Sequence, residues 1–489
     1  MITKSFPLMG ILILFVTSFT MPIINKKNIV KGISLTSMLI SLVLSVNTLV
    51  YVLKHGKFFY SAGHFGAPIG IEFYIGNIEA IMGVMFTFIA SMIIWYSLYS
   101  IDKDIKENKI PFYYLLVNIL VGALLGIVYT NDIFNSFVFI EVGTLASCGI
   151  IVIKDKKENI KATIKYLIMS CLGSGLVLMG IAFLYSITGQ LNITYIHEAL
   201  VENYTNYPNA ILITLGLFTV GLGVKSAMFF LHTWLPDAHS SAPATSSALL
   251  SALVLKPFVL LLIKVLYRVF GIDIIRQFPI LNIIMVMGSI GMIMGSVLAI
   301  FQKEIKRIIA YSSVAQMGYI FLGIGLGTDA GVALAIFHMI GHAVTKSALF
   351  LSVGAIIERS GLKKTYELKG IGKEMPVTLG LFFIGTLSMV GIPVLPGFVS
   401  KWYLSLSSIR ADKPILVVMI LISSLLNAAY YFPIVINGYF GEENLEGKIY
   451  GSKCKPIREL LPIMILLITM IGVGFASRSI IRLIEAGII

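Results

Sequence analysis

Charged residues are scarce in this sequence. Only 12% of its 489 residues are Asp, Glu, Lys or Arg, against about 25% in soluble domains. Hydrophobic residues make up 57% of the chain, and the mean hydropathy is +0.92. A soluble chain of this length needs far more polar side chains to cover its surface. The composition therefore excludes a mainly soluble protein and indicates one that is embedded in a membrane.

Cysteine is scarce as well. The chain has three cysteines, Cys148, Cys171 and Cys454, and none of them forms a CxxC pair or lies at metal-ligand spacing. A chain of this kind is not expected to hold an iron–sulfur cluster or a zinc ion by itself. The glycine-rich run at 323–327 lacks the strand and helix of a dinucleotide-binding motif. The sequence accordingly predicts no cofactor and no metal site in this chain.

The chain does have a long series of apolar runs, each able to form a transmembrane helix of about 20 residues. Proline interrupts the series twice, at Pro236 and Pro243 and again at Pro393 and Pro396. The pattern predicts an all-α polytopic membrane protein with about fourteen transmembrane helices, two of them broken. The predicted spans are 5–22, 32–53, 78–100, 111–130, 132–153, 163–187, 209–231, 244–267, 279–301, 307–327, 330–357, 376–409, 414–440 and 457–477.

Lysine and arginine are unevenly distributed among the predicted loops. Most of the 37 lie in loops that follow odd-numbered spans. Because cytoplasmic loops are enriched in these residues, the pattern predicts a prokaryotic cell (inner) membrane protein with cytoplasmic odd-numbered loops and two outward termini. The formal net charge of +13 then belongs to these loops, so no nucleic-acid partner is predicted. Representative lysines of the odd-numbered loops are Lys103, Lys154, Lys306 and Lys363.

Some lysines lie inside the apolar segments. Each one costs about 2.5–3.5 kcal/mol at a helix centre on insertion scales, so a chain that only needs to span a membrane would not carry several. Lys264 lies near the predicted outer boundary, one turn before Arg268, and is expected to extend its ammonium group to the interface. The others are predicted functional residues. The intramembrane lysines are Lys225, Lys256, Lys264, Lys346 and Lys401.

A carboxylate is also predicted inside the membrane. Glu141 follows Asp132, the first residue of its span, by nine positions, which places it about 13 Å deep. A lone carboxylate there would be neutral, and Lys225 is the predicted partner that restores its charge. Lys225 precedes the first proline-bearing break. Three polar residues follow at this break, and each either caps a helix or belongs to an ion path. These residues are His232, Asp237 and His239.

A line of titratable residues is predicted in the second half of the chain. His338, His342 and Lys346 are four residues apart, so they share one helix face over about 12 Å. Because histidine titrates near neutral pH, this line predicts a proton relay, with a polar seam between helices as the alternative. Lys256 lies midway along its own predicted span. Lys401 follows the second break, and two breaks in corresponding places suggest an internal repeat.

Four sequence blocks carry a family resemblance. The segments KSAMFFLHTWLPDAHSSAPATSSALLSALVLK, RIIAYSSVAQMGY, HMIGHAVTKSALFL and GIPVLPGFVSKW resemble those of the antiporter-like subunits of respiratory complex I, of Mrp-type Na⁺/H⁺ antiporters (Mrp-D-like) and of energy-converting membrane-bound hydrogenases. The resemblance covers roughly residues 110–440. The chain departs from the common pattern at two places. Phe229 and Phe230 stand where many members have proline, and Pro257 follows Lys256 where a small residue is commoner.

The resemblance implies two inverted five-helix repeats at 111–270 and 271–440, flanked by three helices at 1–110 and a C-terminal helix at 441–489. It implies that Glu141 and Lys225 form the charge pair of a first half-channel and that Lys256 links this half-channel to the central relay. It also implies that Lys401 ends the second half-channel.

The function implied is translocation of H⁺ or Na⁺ as one subunit of a multisubunit complex in the lipid bilayer. Other membrane subunits, or an opposing ion gradient, would supply the energy, because no redox centre is predicted here. A stand-alone secondary transporter and a non-conducting membrane spacer remain the alternatives. The lysine-rich axis argues against an organic substrate, and the retained glutamate and lysines argue against a spacer.

Overall fold

The computed structural model describes residues 2–24, 26–442 and 457–488, so Cys454 lies outside the described residues. Helices dominate the structure, as predicted. An antiparallel hairpin of β1 (Phe58–Ser61) and β2 (Glu72–Ile75) precedes the third helix. The helices are α1 Phe6–Ile24, α2 Lys27–His55, α3 Asn77–Asp104, α4 Ile110–Tyr129, α5 Ile133–Val152, α6 Lys157–Thr188, α7 Ile193–Asn203, α8 Pro208–Lys225, α9 Leu235–Ser241, α10 Ala244–Leu249, α11 Leu255–Ile263, α12 Ile272–Ile275, α13 Ile280–Ile300, α14 Ile305–Gly325, α15 Asp329–Ser360, α16 Ile371–Glu374, α17 Pro376–Val390, α18 Pro396–Arg410, α19 Ile415–Phe440, α20 Ile457–Phe475 and α21 Ser477–Ile488.

The transmembrane helices agree with the predicted series. In the described part of the chain, 13 helices are long and apolar enough to cross a membrane. The remaining predicted span, 376–409, is a pair of 15-residue helices, α17 and α18, separated by five residues. The predicted break in this span is therefore confirmed. Of the helices that lie between or after the predicted spans, α7 and α21 are the two longest, and each buries one apolar side.

The first break begins earlier than its prolines indicate. Helix α8 ends at Lys225, because Ala227 and Phe230 adopt positive φ angles of 56° and 70° that a right-handed helix excludes. The indole of Trp234 donates a hydrogen bond of 2.9 Å to the carbonyl of Val224, which satisfies one group freed by the break. Val394 in the second break has a φ of 77°. Non-glycine residues in this region store strain that is typical of functional sites.

The helix after the first break is unusually wide. It runs without interruption over Ala244–Phe270, but Leu250–Val254 and Lys264–Phe270 form π turns. Pro257 contributes to the irregularity because it has no amide hydrogen for the helical ladder. Such turns leave backbone carbonyls free for side chains and often mark functional sites. Lys256 follows the first π turn by two residues, and Lys264 is the first residue of the second.

Helices α13 and α14 cross at very short range. A methyl group added to Gly318 would contact the backbone nitrogen of Met292 and would lie 2.6 Å from the carbonyl oxygen of Gly288. Both contacts are with backbone atoms, which do not move aside as a flexible side chain would. Small residues at a crossing let two membrane helices approach closely. Gly318 is therefore required for this pair of helices to pack.

We expect Gly318→Ala to destabilise the protein by about 1–3 kcal/mol, the usual cost of overpacking. Thermal unfolding in detergent measures the effect. Gly216→Ala is the matched control, because Gly216 is also helical and an added methyl group there would have no atom within 4 Å. Equal stability of the two variants would contradict the prediction.

The loops separate into two faces, as the charge pattern predicts. We call one end of the bundle the basic face, where a cavity of about 300 Å³ collects lysines from four odd-numbered loops: Lys103, Lys154, Lys306 and Lys363. At the other end, the opposite face, the Lys4 ammonium lies 5.9 Å from the centre of the Phe58 ring. Arg268 donates a hydrogen bond of 3.3 Å to the carbonyl of Gly487 on the same face. Both chain ends thus lie with the even-numbered loops.

Candidate ion-conduction site

The predicted intramembrane lysines and histidines lie inside the bundle. None of their side chains reaches the outer surface that lipid would contact, and the most exposed of them retains 5% of its accessible area. A membrane interior is a costly place for ionisable groups, so such residues usually line an ion path. The buried residues are Lys225, Lys256, Lys346, Lys401, His338 and His342.

Lys225 contacts α5, but it does not contact Glu141. Its Nζ atom donates a hydrogen bond of 2.7 Å to Oγ1 of Thr144, one turn beyond Glu141 on the same helix. Among the described residues, no ion pair within 4.0 Å joins Glu141 to a cation, and the buried Oε1 of Glu141 has no hydrogen-bond partner. The direct pair that the sequence predicts is thus absent from this arrangement, and the Thr144 hydroxyl takes the place of the carboxylate.

Lys256 connects to the second half of the chain through Ser251 and the serines of α14. Its ammonium donates to the carbonyl of Ser251 in the π turn. The Ser251 hydroxyl is 3.0 Å from that of Ser313 on α14. The Ser313 hydroxyl donates at 3.1 Å to the carbonyl of Ile309, which also accepts from Lys346. The preceding residue, Ser312, accepts a hydrogen bond from Lys346. The two α14 serines were not predicted as site residues, although they belong to the RIIAYSSVAQMGY block, because a serine in an apolar run equally indicates helix packing.

Lys346 is held by oxygen atoms alone. Its Nζ donates to the carbonyl of Ile309 at 2.8 Å and lies 3.4 Å from the hydroxyl of Tyr431. The hydroxyls of Tyr431 and Ser312 are 2.7 Å apart. No carboxylate lies within 4.0 Å of Lys346 in the described part of the chain. A lysine with only neutral partners is free to change charge without leaving an anion unpaired.

The two predicted relay histidines stack on each other. The ring centres of His338 and His342 are 6.4 Å apart, with 12° between the ring planes. Nδ1 of His338 is 2.7 Å from the hydroxyl of Ser400 on α18. Neither ring nitrogen of His342 has a hydrogen-bond partner in the described structure. Buried polar atoms are normally satisfied by protein or water, so His342 marks a place that an ordered water would suit.

Lys401 faces the end of α17 across the second break. Its Nζ donates to the carbonyls of Met389 and Val390 at 2.8 and 3.1 Å. These are among the free carbonyls of a helix C-terminus, where a cation is favoured. The ammonium also lies 4.9 Å from the centre of the Tyr319 ring, which is 5.5 Å from the His338 ring. The aromatic ring thus links Lys401 to the histidine line.

Of the residues predicted at the first break, the two histidines are buried. His239 is fully buried and stacks on Phe350 at 5.4 Å, and both of its ring nitrogens lack partners among the described residues. His232 stacks on Phe229 at 5.1 Å. The polar atoms of His239 place this residue with the intramembrane site, whereas His232 packs at its edge.

The two predicted aspartates lie outside the buried line. Asp237 forms ion pairs of 2.8 Å with Lys165 and 2.9 Å with Arg307, and all three line a cavity of about 850 Å³ at the basic face. Asp132 caps α5 by accepting a hydrogen bond of 2.6 Å from the amide of Asn135. Burial raises the pKa of the Asp132 carboxyl group above its ordinary value.

Lys264 does not reach an interface, so that prediction was wrong. Its side chain is 2% exposed, and its Nζ donates to carbonyls at the end of α4, including Thr130 at 3.2 Å. Oε1 of Glu79 lies 4.0 Å away, and Arg268 donates to the same oxygen at 2.7 Å. Glu79 is fully buried and was not predicted. The sequence does show Glu79 as an acidic residue just inside an apolar span. Its cationic partners, however, lie far along the chain, so the sequence does not indicate the contact.

A helical membrane bundle with two broken helices and a buried line of lysines and histidines has the architecture of ion-translocating membrane proteins. Residues 130–427 match the family model described as NADH:quinone oxidoreductase/Mrp antiporter, TM. The chain belongs to this family of multi-pass membrane proteins.

Relatives from different complexes cover most of the chain. The NADH-quinone oxidoreductase subunit N of Desulforudis audaxviator is 34% identical over 372 residues, which are 76% of this chain and 73% of that protein. A Na⁺/H⁺ antiporter subunit of Alkalihalophilus pseudofirmus, the one designated D, is 29% identical over 458 residues, or 93% and 90% of the two chains.

Solved structures share the fold over nearly the full length. A chain of the membrane-bound sulfane sulfur reductase, an archaeal respiratory membrane complex, superimposes with a TM-score of 0.91 at 26% identity and covers 98% of this chain and 96% of that one. A chain of the Mrp complex from Dietzia sp. DQ12-45-1b gives a TM-score of 0.90 at 22% identity, covering 100% and 97%. The latter likeness concerns the fold alone.

Proposed function

We propose that this chain translocates protons or sodium ions as one subunit of a multisubunit energy-converting membrane complex. The observation that carries the proposal is a buried polar connection between Lys256 and Lys346. Lys256 donates to the carbonyl of Ser251, the Ser251 hydroxyl contacts that of Ser313, and Ser313 and Lys346 both donate to the carbonyl of Ile309. The relatives support the assembly, because their names are those of subunits of an NADH-quinone oxidoreductase and of a Na⁺/H⁺ antiporter. The partners are accordingly other membrane subunits, which supply the energy.

The basic face is the cytoplasmic face in this proposal, because it collects the lysine-rich loops. Both termini then lie on the outer side. Protons enter from the cavity of about 850 Å³ near Asp237 and pass the buried His239. They leave past Lys401 along α18, which ends at Arg410 beside a cavity of about 340 Å³ at the opposite face.

The lysines are the carriers in this route. A buried lysine changes charge readily because burial penalises the ammonium form, whereas arginine stays charged. Lys256 and Lys346 have only neutral partners in the described structure, so each is able to accept or release a proton in turn. The histidines and water between them shorten the steps from Lys346 to Lys401.

Lys225 and Glu141 act as a switch in this proposal. Lys225 is bonded to Thr144, while the Oε1 of Glu141 is without a partner, and one turn of α5 separates the two acceptors. Movement of the ammonium from Thr144 to Glu141 would pair the charges and weaken the field at Lys256. The return movement would raise the positive potential there and favour release of the Lys256 proton.

The two halves of the chain carry corresponding elements. In the proposed repeats 111–270 and 271–440, the fourth membrane crossing is the broken one, namely α8–α9 and α17–α18. Residues 1–110 and 441–489 flank them. A lysine borders each break, Lys225 before the first and Lys401 after the second.

Reconstitution of the parent complex tests the proposal. We expect Lys225→Met to lower proton or sodium uptake into proteoliposomes at least about tenfold, since the switch charge is lost. Lys106→Met is the control, because Lys106 is exposed on the basic face. Both ions are followed with fluorescent indicators in the same vesicles. Unchanged uptake in Lys225→Met would refute the switch, and transport by the isolated chain would favour a stand-alone transporter.

A further inference from the structure

A second group of buried charges lies apart from the proposed route, at the opposite-face end of the wide helix. Glu79 on α3 is fully buried. Arg268 donates to its Oε1 at 2.7 Å, and the Nζ of Lys264 lies 4.0 Å from the same atom. Ionisable residues within a membrane protein are functional candidates by default. We call these three residues the outer cluster.

The charges of the outer cluster do not balance. Arginine remains charged at every accessible pH, so Arg268 alone neutralises Glu79. Lys264 is the surplus cation, and carbonyl groups at the end of α4 hold its ammonium, among them those of Ile127 and Thr130 at 3.4 and 3.2 Å. Loss of a proton from Lys264 therefore leaves no carboxylate without a cation. A purely structural ion pair would need only Arg268.

Lys264 lies on the same helix as Lys256. Eight residues separate them, which is about two turns and 12 Å, so both side chains project from related faces. Lys264 is the first residue of one π turn, and Lys256 follows the other by two residues. Lys256 donates to a carbonyl of its own helix and Lys264 to carbonyls at the end of α4. Lys264 is therefore a second buried ammonium group, two turns closer to the opposite face.

A buried hydroxyl adjoins the outer cluster. Tyr129, the last residue of α4, has a fully buried side chain. Its hydroxyl lies against Gly83, where any side chain would collide with it. Gly83 is one turn beyond Glu79 on α3. A hydroxyl group both donates and accepts hydrogen bonds, so Tyr129 adds such a group next to the outer cluster.

The outer cluster also reaches the surface of the protein. The side chain of Arg268 is 22% exposed, stacks on the Tyr74 ring at 4.5 Å and donates to the carbonyl of Gly487 in α21. Glu79 and Lys264 lie directly behind it. Only the side chain of Arg268 therefore separates Lys264 from the opposite face.

We propose that Lys264 is a second proton-exit site, which receives protons from Lys256 and releases them to the opposite face beside the Glu79–Arg268 pair. This inference rests on the proposed function. In the transfer, the Lys256 ammonium loses a proton to water, and that water passes a proton to the neutral Lys264 amine. Lys264 then returns its proton to water at the opposite face. The Lys401 exit operates in parallel.

Two substitutions of Lys264 separate a conducting role from a structural one. Lys264→Arg keeps the positive charge and the donors to the carbonyls but does not release a proton. Lys264→Met removes the surplus charge and leaves Glu79 paired with Arg268. We expect both variants to assemble and to retain roughly half of the proton uptake of the reconstituted complex, because one of two exits is closed. Wild-type uptake in both assembled variants would overturn the inference.

Combination with the other exit sharpens the test. Lys401→Met should also retain roughly half of the uptake, and the Lys264→Met/Lys401→Met double variant should retain none. Asn77→Ala is the control for docking of α21, since Asn77 donates to Leu483 at 3.1 Å without touching the cluster; its uptake should equal that of wild type.

The outcomes also separate the two proposals. If Lys256→Met retains full uptake, the proposed function fails. If Lys256→Met loses uptake while the double variant transports like Lys401→Met, only the second exit is refuted.

Discussion

Lys256→Met is expected to abolish proton uptake by the reconstituted complex, a loss of at least about a hundredfold for removal of an essential proton-transfer group. Both proposed exits take their protons from Lys256, so no parallel route bypasses it. The side chain is fully buried, and within the described residues its ammonium donates to the carbonyl of Ser251. Uptake driven by the complex's own substrate or ion gradient, measured with a pH indicator inside the vesicles, gives the result directly.

The loss in Lys256→Met should not come from misfolding. A charge at a helix centre costs about 2.5–3.5 kcal/mol on insertion, so replacement by methionine is expected to leave assembly intact. Lys256→Arg is the second variant, because it retains the charge but not the exchangeable proton. Both variants should co-purify with the partner subunits in wild-type amounts. Normal uptake in Lys256→Arg would show that the position needs a charge and not a proton carrier.

Much of this architecture could be predicted from the sequence, because each membrane helix is determined by a run of consecutive residues. The spans follow from runs of apolar residues, and the loop groups follow from lysine and arginine. The helices confirm the spans, and the lysines of four odd-numbered loops meet at the basic face. The burial of Lys225, Lys256, Lys346 and Lys401 was predictable for the same reason, since each is a charge within an apolar segment.

The contacts between helices were not predictable. Thr144 binds Lys225 where the sequence indicated Glu141, because both acceptors lie on one helix and only side-chain geometry decides between them. The serines of α14 are equally compatible with packing or with ion contacts. Lys264 was misassigned because its partners, Glu79 and the end of α4, come from distant parts of the sequence. The start of the first break was predicted too late in the chain, because alanine and phenylalanine rarely adopt the positive φ angles that Ala227 and Phe230 have here.

Arg268→Ala is expected to destabilise the protein by about 3 kcal/mol, near the lower end of the cost of breaking a buried ion pair. The change leaves the fully buried Glu79 with Lys264 at 4.0 Å as its nearest cation, and that cation already serves carbonyl groups of α4. It also removes the contact with Gly487 and the stacking on Tyr74. Thermal unfolding of the purified complex in detergent, compared with wild type, measures the loss.

A double-mutant cycle separates the charge effect from these other contacts. Glu79→Gln removes the carboxylate while keeping most of its shape, so the Glu79→Gln/Arg268→Ala protein no longer contains an unpaired anion. We expect the double variant to be more stable than Arg268→Ala alone, because removal of both partners avoids the cost of a buried charge. Equal stability of the two would mean that Arg268 contributes through the C-terminal helix and the Tyr74 ring.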